Sequence, residues 1–152
     1  MAITIALEDP ASDLAQRLLA AYFGDRAITF VGGVYTPKPA DPSTLRAPDG
    51  AFLIAWDEDE AIGCGALRRL GPTRFEVKHL YVTPVGRGRG TGAALLAALE
   101  ARAAELGATE VVLDTNSALE AANRLYTTRG YASIDPYNDN PNATTWFRKA
   151  LV

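Results

Sequence analysis

The chain has 152 residues, 48% of them hydrophobic and 22% charged, with a formal net charge of −3 and a pI of about 5.1. That is enough apolar material for the core of one domain spanning 1–152, and the acidic balance excludes a general nucleic-acid binder, which needs a strongly basic face. One cysteine, Cys64, excludes an intramolecular disulfide, and one histidine, His79, cannot assemble a metal cluster alone.

No apolar run approaches the ~18 residues of a membrane span. With no signal-like N-terminus, the reading is a cytoplasmic protein without a metal. Residues 3–7 alternate β-branched and small side chains and predict a first strand. Asp9 and Pro10 read as N-cap and first position of a helix, with Leu14, Leu18, Leu19 and Tyr22 at helical spacing and Gly24 as its stop. The pattern then weakens over 25–50, which holds Gly32, Gly33 and four prolines; it reads as a long surface segment with room for a short helix. A loop of that length in a compact domain is more often functional than idle.

Residues 51–56 and 61–70 predict a hairpin across 57–60, and 75–82 a third strand of the same antiparallel set. A long helix with an apolar stripe follows and stops at Gly107. Residues 110–113 predict a short buried strand. Ser117 and Glu120, three apart, form a capping-box pattern that opens a helix running to about Arg129, with Gly130 as its stop. Strands at 131–134 and 144–151 flank a turn-rich loop, YNDNPN. The order is β-α, then β-β-β-α-β-α-β-β, an α/β domain with a mixed sheet.

The most informative stretch joins the strand FEVKHLYV to the long helix. It contains Gly86, Gly88, Gly90 and Gly92, with Arg87 and Arg89 between them. A glycine-rich turn at a helix N-terminus turns several backbone N–H groups toward one anion, and the helix dipole adds to the pull. This reads as a phosphate cradle. No Lys-Ser/Thr follows the last glycine, so it is not a Walker loop. Gly88-x-Gly90-x-x-Ala93, with Asp114 ending the next strand, also fits a dinucleotide fingerprint and keeps a nicotinamide oxidoreductase in view. Against that stand the residues 84–87 before the first glycine, the mid-chain position after an antiparallel run, and too little chain for the rest of a doubly wound sheet.

The stretch VTPVGRGRGTGAALL resembles the signature of the GCN5-related N-acetyltransferases (GNAT), in which Arg/Gln-x-x-Gly-x-Gly/Ala binds the coenzyme A pyrophosphate. EVKHLYV resembles that family's fourth strand and LYTTRGY its second motif; GCGALRRL and YNDNPNATTWFRKAL are similar to segments of bacterial members. The resemblance runs from about Ala51 to the end. It implies a mixed, mostly antiparallel sheet of about seven strands flanked by about four helices, with acetyl-CoA as cosubstrate. The implied reaction is direct attack of an amine on the thioester, without an acyl-enzyme.

By that resemblance the backbone of Arg87, Gly88, Arg89, Gly90, Thr91, Gly92 and Ala93 holds the pyrophosphate. Backbone groups of Leu80 and Val82 pair with the pantetheine arm, and an N–H near Leu80 or Tyr81 faces the thioester carbonyl. Tyr126 takes the place of the general acid, its phenol protonated at neutral pH; the bland alternative is a core tyrosine sharing a helix face with Leu119 and Ala122. Glu76 takes the place of a base, acting directly or through water, and the bland alternative is a strand carboxylate paired with Lys78. Simple alternation puts Glu76, Lys78, Leu80 and Val82 on one face and His79 and Tyr81 on the other. His79 reads as structural, and Cys64, in an apolar strand without a base, as structural too. The family's pantetheine-contacting asparagine falls at Leu119 here, with Asn116 and Asn123 as neighbouring substitutes. The acceptor reads as a small amine, framed by 25–50 and 137–142. A protein N-terminus or lysine, an inactive acyl-CoA-binding module, and a homodimer remain open.

Overall fold

The computed structural model describes residues 2–151. Seven strands form one sheet in the order β1-β2-β3-β4-β5-β7-β6. The strands are β1 (Ile3–Leu7), β2 (Gly50–Asp57), β3 (Glu60–Arg69), β4 (Arg74–Val82), β5 (Glu110–Thr115), β6 (Ala132–Ile134) and β7 (Thr145–Ala150). The helices are α1 (Asp13–Thr29), α2 (Thr91–Glu105) and α3 (Glu120–Thr128), with 3₁₀ turns at Pro42–Leu45 and Pro84–Gly86. Three α-helices, rather than four, flank the sheet among the described residues; the weakly patterned segment supplies the last turn of α1 and the 3₁₀ turn at Pro42–Leu45.

Strand alternation divides the core into two layers. On β2, Phe52 and Ile54 join Ala15, Leu18 and Leu19 of α1, while Ala51, Leu53 and Ala55 join Leu95, Leu96, Leu99 and Ala103 of α2. Phe52 and Leu99 are fully buried; removing such a side chain from water stabilises by about 1.5–3 kcal/mol.

Three local expectations are corrected. α1 begins later than expected, capped by Ser12, whose hydroxyl accepts from the Ala15 N–H at 3.1 Å, while Asp9 caps only the preceding turn through Ala11. α1 also runs through Gly24 to Thr29. A mid-helix glycine costs about 1 kcal/mol, and here tertiary packing outweighs it: Tyr22 and Phe23 both stack on His79, at 5.2 and 5.1 Å. The capping box does not form. Ser117 is drawn to β7, its N–H donating to Thr144 Oγ1 at 2.8 Å, and α3 starts at Glu120 after an uncapped Leu119.

Only one neighbouring pair in the sheet is parallel, β4 with β5, as their connection through α2 requires. Its ladder is short: Arg74↔Glu110, Phe75↔Val111, Glu76↔Val112. Beyond those residues β4 runs on to Val82 unpaired on that edge, and β5 turns to β7, which it pairs along its whole length. The sheet therefore splays into β1–β4 and β5–β7, joined at one end and open at the other.

Candidate functional site

β4 carries the site, and a bulge at its middle decides what each residue faces. His79 has φ +55, and the β3–β4 register shifts between Cys64↔Tyr81 and Ala66↔Lys78, so two residues of β4 oppose Gly65. The bulge resets alternation. Phe75, Val77 and Leu80 pack in the α2 layer, and Val82 lies beside Gly86 and Gly92 at the start of α2. Glu76 and Lys78 lie on the opposite face, where His79 and Tyr81 meet the aromatic side of α1. The expected grouping of Glu76 and Lys78 with Leu80 and Val82 is thus corrected, because strict alternation assumes an unbroken ladder.

Past Val82 the chain makes the 3₁₀ turn at Pro84–Gly86 and enters the glycine loop. Thr91, buried at the first position of α2, donates its hydroxyl to Gly86 O at 2.8 Å and closes the loop on itself. Gly88 and Gly90 have φ +72 and +78, and a Cβ on either would meet nothing of the protein within 4 Å. Packing does not demand glycine there; the left-handed backbone does. Among the described residues, the N–H groups of Gly88, Gly90, Thr91, Gly92 and Ala93 donate to no protein acceptor. Five uncommitted donors around an open loop at a helix N-terminus fit the pyrophosphate of coenzyme A. The arginine side chains turn elsewhere: Arg89 to Asp57 Oδ2 at 3.0 Å, and Arg87 to Val82 O at 3.2 Å with Asp25 at 3.9 Å. The Arg87 N–H donates to Pro84 O at 3.4 Å, so the expectation that it joins the cradle is corrected.

A cavity occupies the splay between β4 and β5. Its walls come from α1 (Tyr22, Phe23, Arg26), the following segment (Phe30, Tyr35, Lys38), β4 (Val77, Lys78, His79, Leu80), β5 (Asp114, Thr115), the turn after it (Asn116, Ala118, Leu119), α3 (Tyr126) and residues 140–143. Two hydrogen-bonded clasps hold segment 30–41 over it. The Ala40 N–H donates to His79 Nε2 at 3.2 Å, and Asn142 both accepts from the Thr36 N–H and donates to Thr36 O. Burial, with Lys78 and Arg68 nearby, pushes the His79 pKa down to about 3, so its imidazole is neutral and serves as this acceptor.

Tyr126 is 7% exposed, its ring against Tyr131 and Phe147 at 5.8 and 5.9 Å. Every sealed side-chain polar atom among the described residues has a partner, yet the Tyr126 hydroxyl has none in the protein, so it opens onto the cavity that the residue lines. Burial raises its pKa well above the usual phenol value and keeps it protonated. The same burial pushes the Cys64 thiol up to about 12, which leaves it inert.

Glu76 stands apart from this cavity. It is 1% exposed; Oε1 accepts from Arg68 Nε at 2.8 Å with Lys78 Nζ at 3.7 Å, and Oε2 accepts from the Tyr137 hydroxyl at 2.5 Å. Asn138, next to Tyr137, donates to Asp114 Oδ2 at 2.7 Å. Loop 137–142 therefore bridges β4 and β5 across the splay. The amides of Asn116 and Asn123 stitch the β5–α3 turn: Asn123 Nδ2 donates to Asn116 O and Leu119 O, while Asn116 Oδ1 accepts from the Ala118 N–H and its Nδ2 donates to Asn142 O. Asn116 and Leu119 line the cavity and Asn123 supports them. Sequence reasoning framed the acceptor with 25–50, which holds Arg26 and Lys38, but read Tyr22 only as a helix-stripe residue and Arg26 as loop, because Gly24 hid the second half of α1.

The acetyltransferase (GNAT) family matches residues 11–131, and the chain belongs to that family. Among curated relatives, the IAA acetyltransferase of Azospirillum brasilense is 31% identical over 139 residues, covering 89% of this chain and 88% of that protein. The uncharacterized N-acetyltransferase C1271.07c of Schizosaccharomyces pombe is 40% identical over 96 residues, which are 62% of this chain and 59% of that one. Of solved structures, a candidate acyl-CoA N-acyltransferase from Klebsiella pneumoniae superposes with TM-score 0.78 at 29% identity, over 99% of this chain and 98% of that chain. Salmonella typhimurium yncA, solved with acetyl-CoA, shares the fold at TM-score 0.70 and 18% identity, over 100% and 95% of the two chains. The protein is a GNAT-type acetyltransferase, and acetyl-CoA is the cosubstrate of its family. No helix among the described residues is long and apolar enough to cross a membrane.

Proposed function

We propose that the protein moves the acetyl group of acetyl-CoA onto the primary amine of a small molecule, by direct attack with both substrates bound. The observation that carries this reading is the order of features along β4: the cavity at Val77–Leu80 with the Tyr126 hydroxyl opening into it, an unpaired strand edge, then the five-donor cradle. Segment 30–41 is clasped at both Thr36 and Ala40, which supports a small acceptor over a protein terminus or lysine.

When bound, acetyl-CoA supplies an activated acyl carbon. The cradle and the β4 edge at Leu80–Val82, unpaired on the β5 side, would hold the cosubstrate, with an N–H near Leu80 or Tyr81 to polarise the carbonyl. The neutral amine attacks the carbonyl carbon; the C–N bond forms, the C–S bond breaks, and the sulfur takes its proton from Tyr126. A phenol held neutral by burial is a weak acid, so it acts first as a hydrogen-bond donor to the departing sulfur and yields the proton as charge develops there. The amine must shed its own proton. Asp114 lines the cavity and is the better placed carboxylate for that; Glu76, sealed behind Tyr137, is a positioning residue that holds loop 137–142 against β4.

Calorimetric titration with acetyl-CoA, coenzyme A and NADH tests the cosubstrate: the first two should bind and the third should not. Thiol release across a panel of small amines, peptides with free N-termini and lysine peptides then tests transfer. Binding without turnover on any amine would make the protein an acyl-CoA-binding module; turnover confined to the peptides would refute the small acceptor.

A further inference from the structure

The acceptor end of the cavity has a composition of its own. Four aromatic rings, Tyr22, Phe23, Phe30 and Tyr35, form its walls. They are held together, Tyr22 against Phe23 at 5.0 Å and Phe30 against Tyr35 at 5.7 Å, so the wall is preformed. Two cations lie among them. Half-buried Arg26 has its guanidinium 5.2 Å from the centre of the Tyr22 ring, and Lys38 stands exposed at the rim. Neither forms a salt bridge with any carboxylate of the described residues, whereas the other lining cation, Lys78, is paired with Glu76. Among the described residues, the one lining carboxylate is Asp114, on the β5 wall. Burial raises the Tyr126 pKa, and Arg26 and Asp114 act on it with opposite signs, so both charges act across the same space as the catalytic hydroxyl.

An arginine placed in an aromatic cleft with no protein anion is a receptor for an anion brought by the ligand. Apolar rings beside it accept an apolar body. A carboxylate on the opposite wall receives an ammonium. Resting on the N-acetyltransferase reading above, we propose that the acceptor is an amine that also carries a carboxylate and an aromatic or large apolar body, an aromatic α-amino acid in the simplest form. Its carboxylate lies on Arg26 and Lys38, its ring against Tyr22 and Tyr35, and its amine toward Asp114 and Tyr126. The amine, held opposite Asp114, loses its proton there before attack.

Matched pairs test this with the intact protein. Acetyl transfer to L-phenylalanine and L-tryptophan is compared with transfer to 2-phenylethylamine and tryptamine, which lack only the carboxylate, and with L-alanine, which lacks the ring. The carboxylate-bearing member of each pair should have the higher kcat/KM by roughly 10–150-fold, the value of one charge-assisted hydrogen bond, and L-alanine should fall below both aromatic amino acids. Arg26→Gln should shrink the preference within each pair, mainly through KM. Lys38→Gln, at an exposed position that does not threaten the fold, should shrink it by a smaller factor. Equal transfer to both members of the pairs, better transfer to the decarboxylated amines, or transfer to neither by a protein that binds acetyl-CoA would overturn the proposal. Failure of the parent reading looks different: acetyl-CoA itself would not bind in the calorimeter.

Discussion

Replacing Tyr126 by phenylalanine should slow acetyl transfer by about 10²-fold and leave the protein folded. The stability half of this follows from the ring contacts with Tyr131 and Phe147, which the substitution keeps, and from a hydroxyl that bonds to nothing in the protein. No buried donor or acceptor is orphaned, so the change in unfolding free energy should stay within about 0.5 kcal/mol. The rate half follows from the cavity. A lost general acid costs ~10²–10⁴-fold; burial makes this phenol a weak acid, so the loss should sit near the lower bound, about 2.7 kcal/mol of transition-state stabilisation. Affinity for acetyl-CoA should scarcely change, because the hydroxyl acts on charge that appears only as the C–S bond breaks. The assay is single-turnover thiol release at saturating acetyl-CoA, after melting curves establish that the variant matches the parent. An unchanged single-turnover rate with an unchanged melting temperature would remove Tyr126 from the chemistry.

Three further outcomes are expected. Gly90→Glu should abolish the thermal shift given by coenzyme A yet retain a cooperative melt, since its Cβ meets no protein atom and the left-handed φ costs about 1–2 kcal/mol; a retained shift would move the phosphate site elsewhere. Tyr137→Phe should lower stability by about 1–3 kcal/mol in denaturant titration, because Glu76 Oε2 loses its donor inside the protein; a loss under 0.5 kcal/mol would show that the bridge across the splay is not held by this bond. His79 is neutral in the fold down to about pH 3, while in the unfolded chain it takes a proton near pH 6.5. The unfolded state therefore binds more protons between those values, and stability should fall as pH drops from 6.5 toward 3; His79→Gln should flatten that slope, and an identical slope in the variant would assign the acid sensitivity to other groups.

Most of the fold was legible because its signals are local. Alternation on β2, the leucine stripe of α2, and the stops at Gly107 and Gly130, with φ +101 and +92, need no knowledge of the rest of the chain. The glycine loop was legible for the same reason: left-handed glycines before a leucine stripe imply the free N–H groups directly. What the sequence hid was decided by contacts between distant segments. Gly24 looks like a stop unless one knows that His79 receives Tyr22 and Phe23. Ser117 looks like a cap unless one knows that Thr144 lies beside it. Asp114 reads as a strand end, and only the splay from β4 makes it a wall of the cavity. Glu76 sits where a family base would, but it takes Tyr137, 61 residues on, to seal it from the substrate side.

The left-handed backbone at His79 has a consequence for how this site can change. β4 is in effect two short strands in series with opposite side-chain parity, Arg74–Lys78 and Leu80–Val82, and the bulge is the splice between them. Loss of a single residue at the splice would restore uniform parity over the whole strand. Leu80 and Val82 would keep the α2 side, Tyr81 the α1 side and Arg74–Glu76 their partners, while His79, the acceptor for the Ala40 N–H and the ring that receives Tyr22 and Phe23, would be gone. The protein would retain its sheet and lose one clasp on segment 30–41 together with the ring that seats α1. For this strand the extra residue serves the side chain it presents to α1 and segment 30–41 rather than the facing of its neighbours.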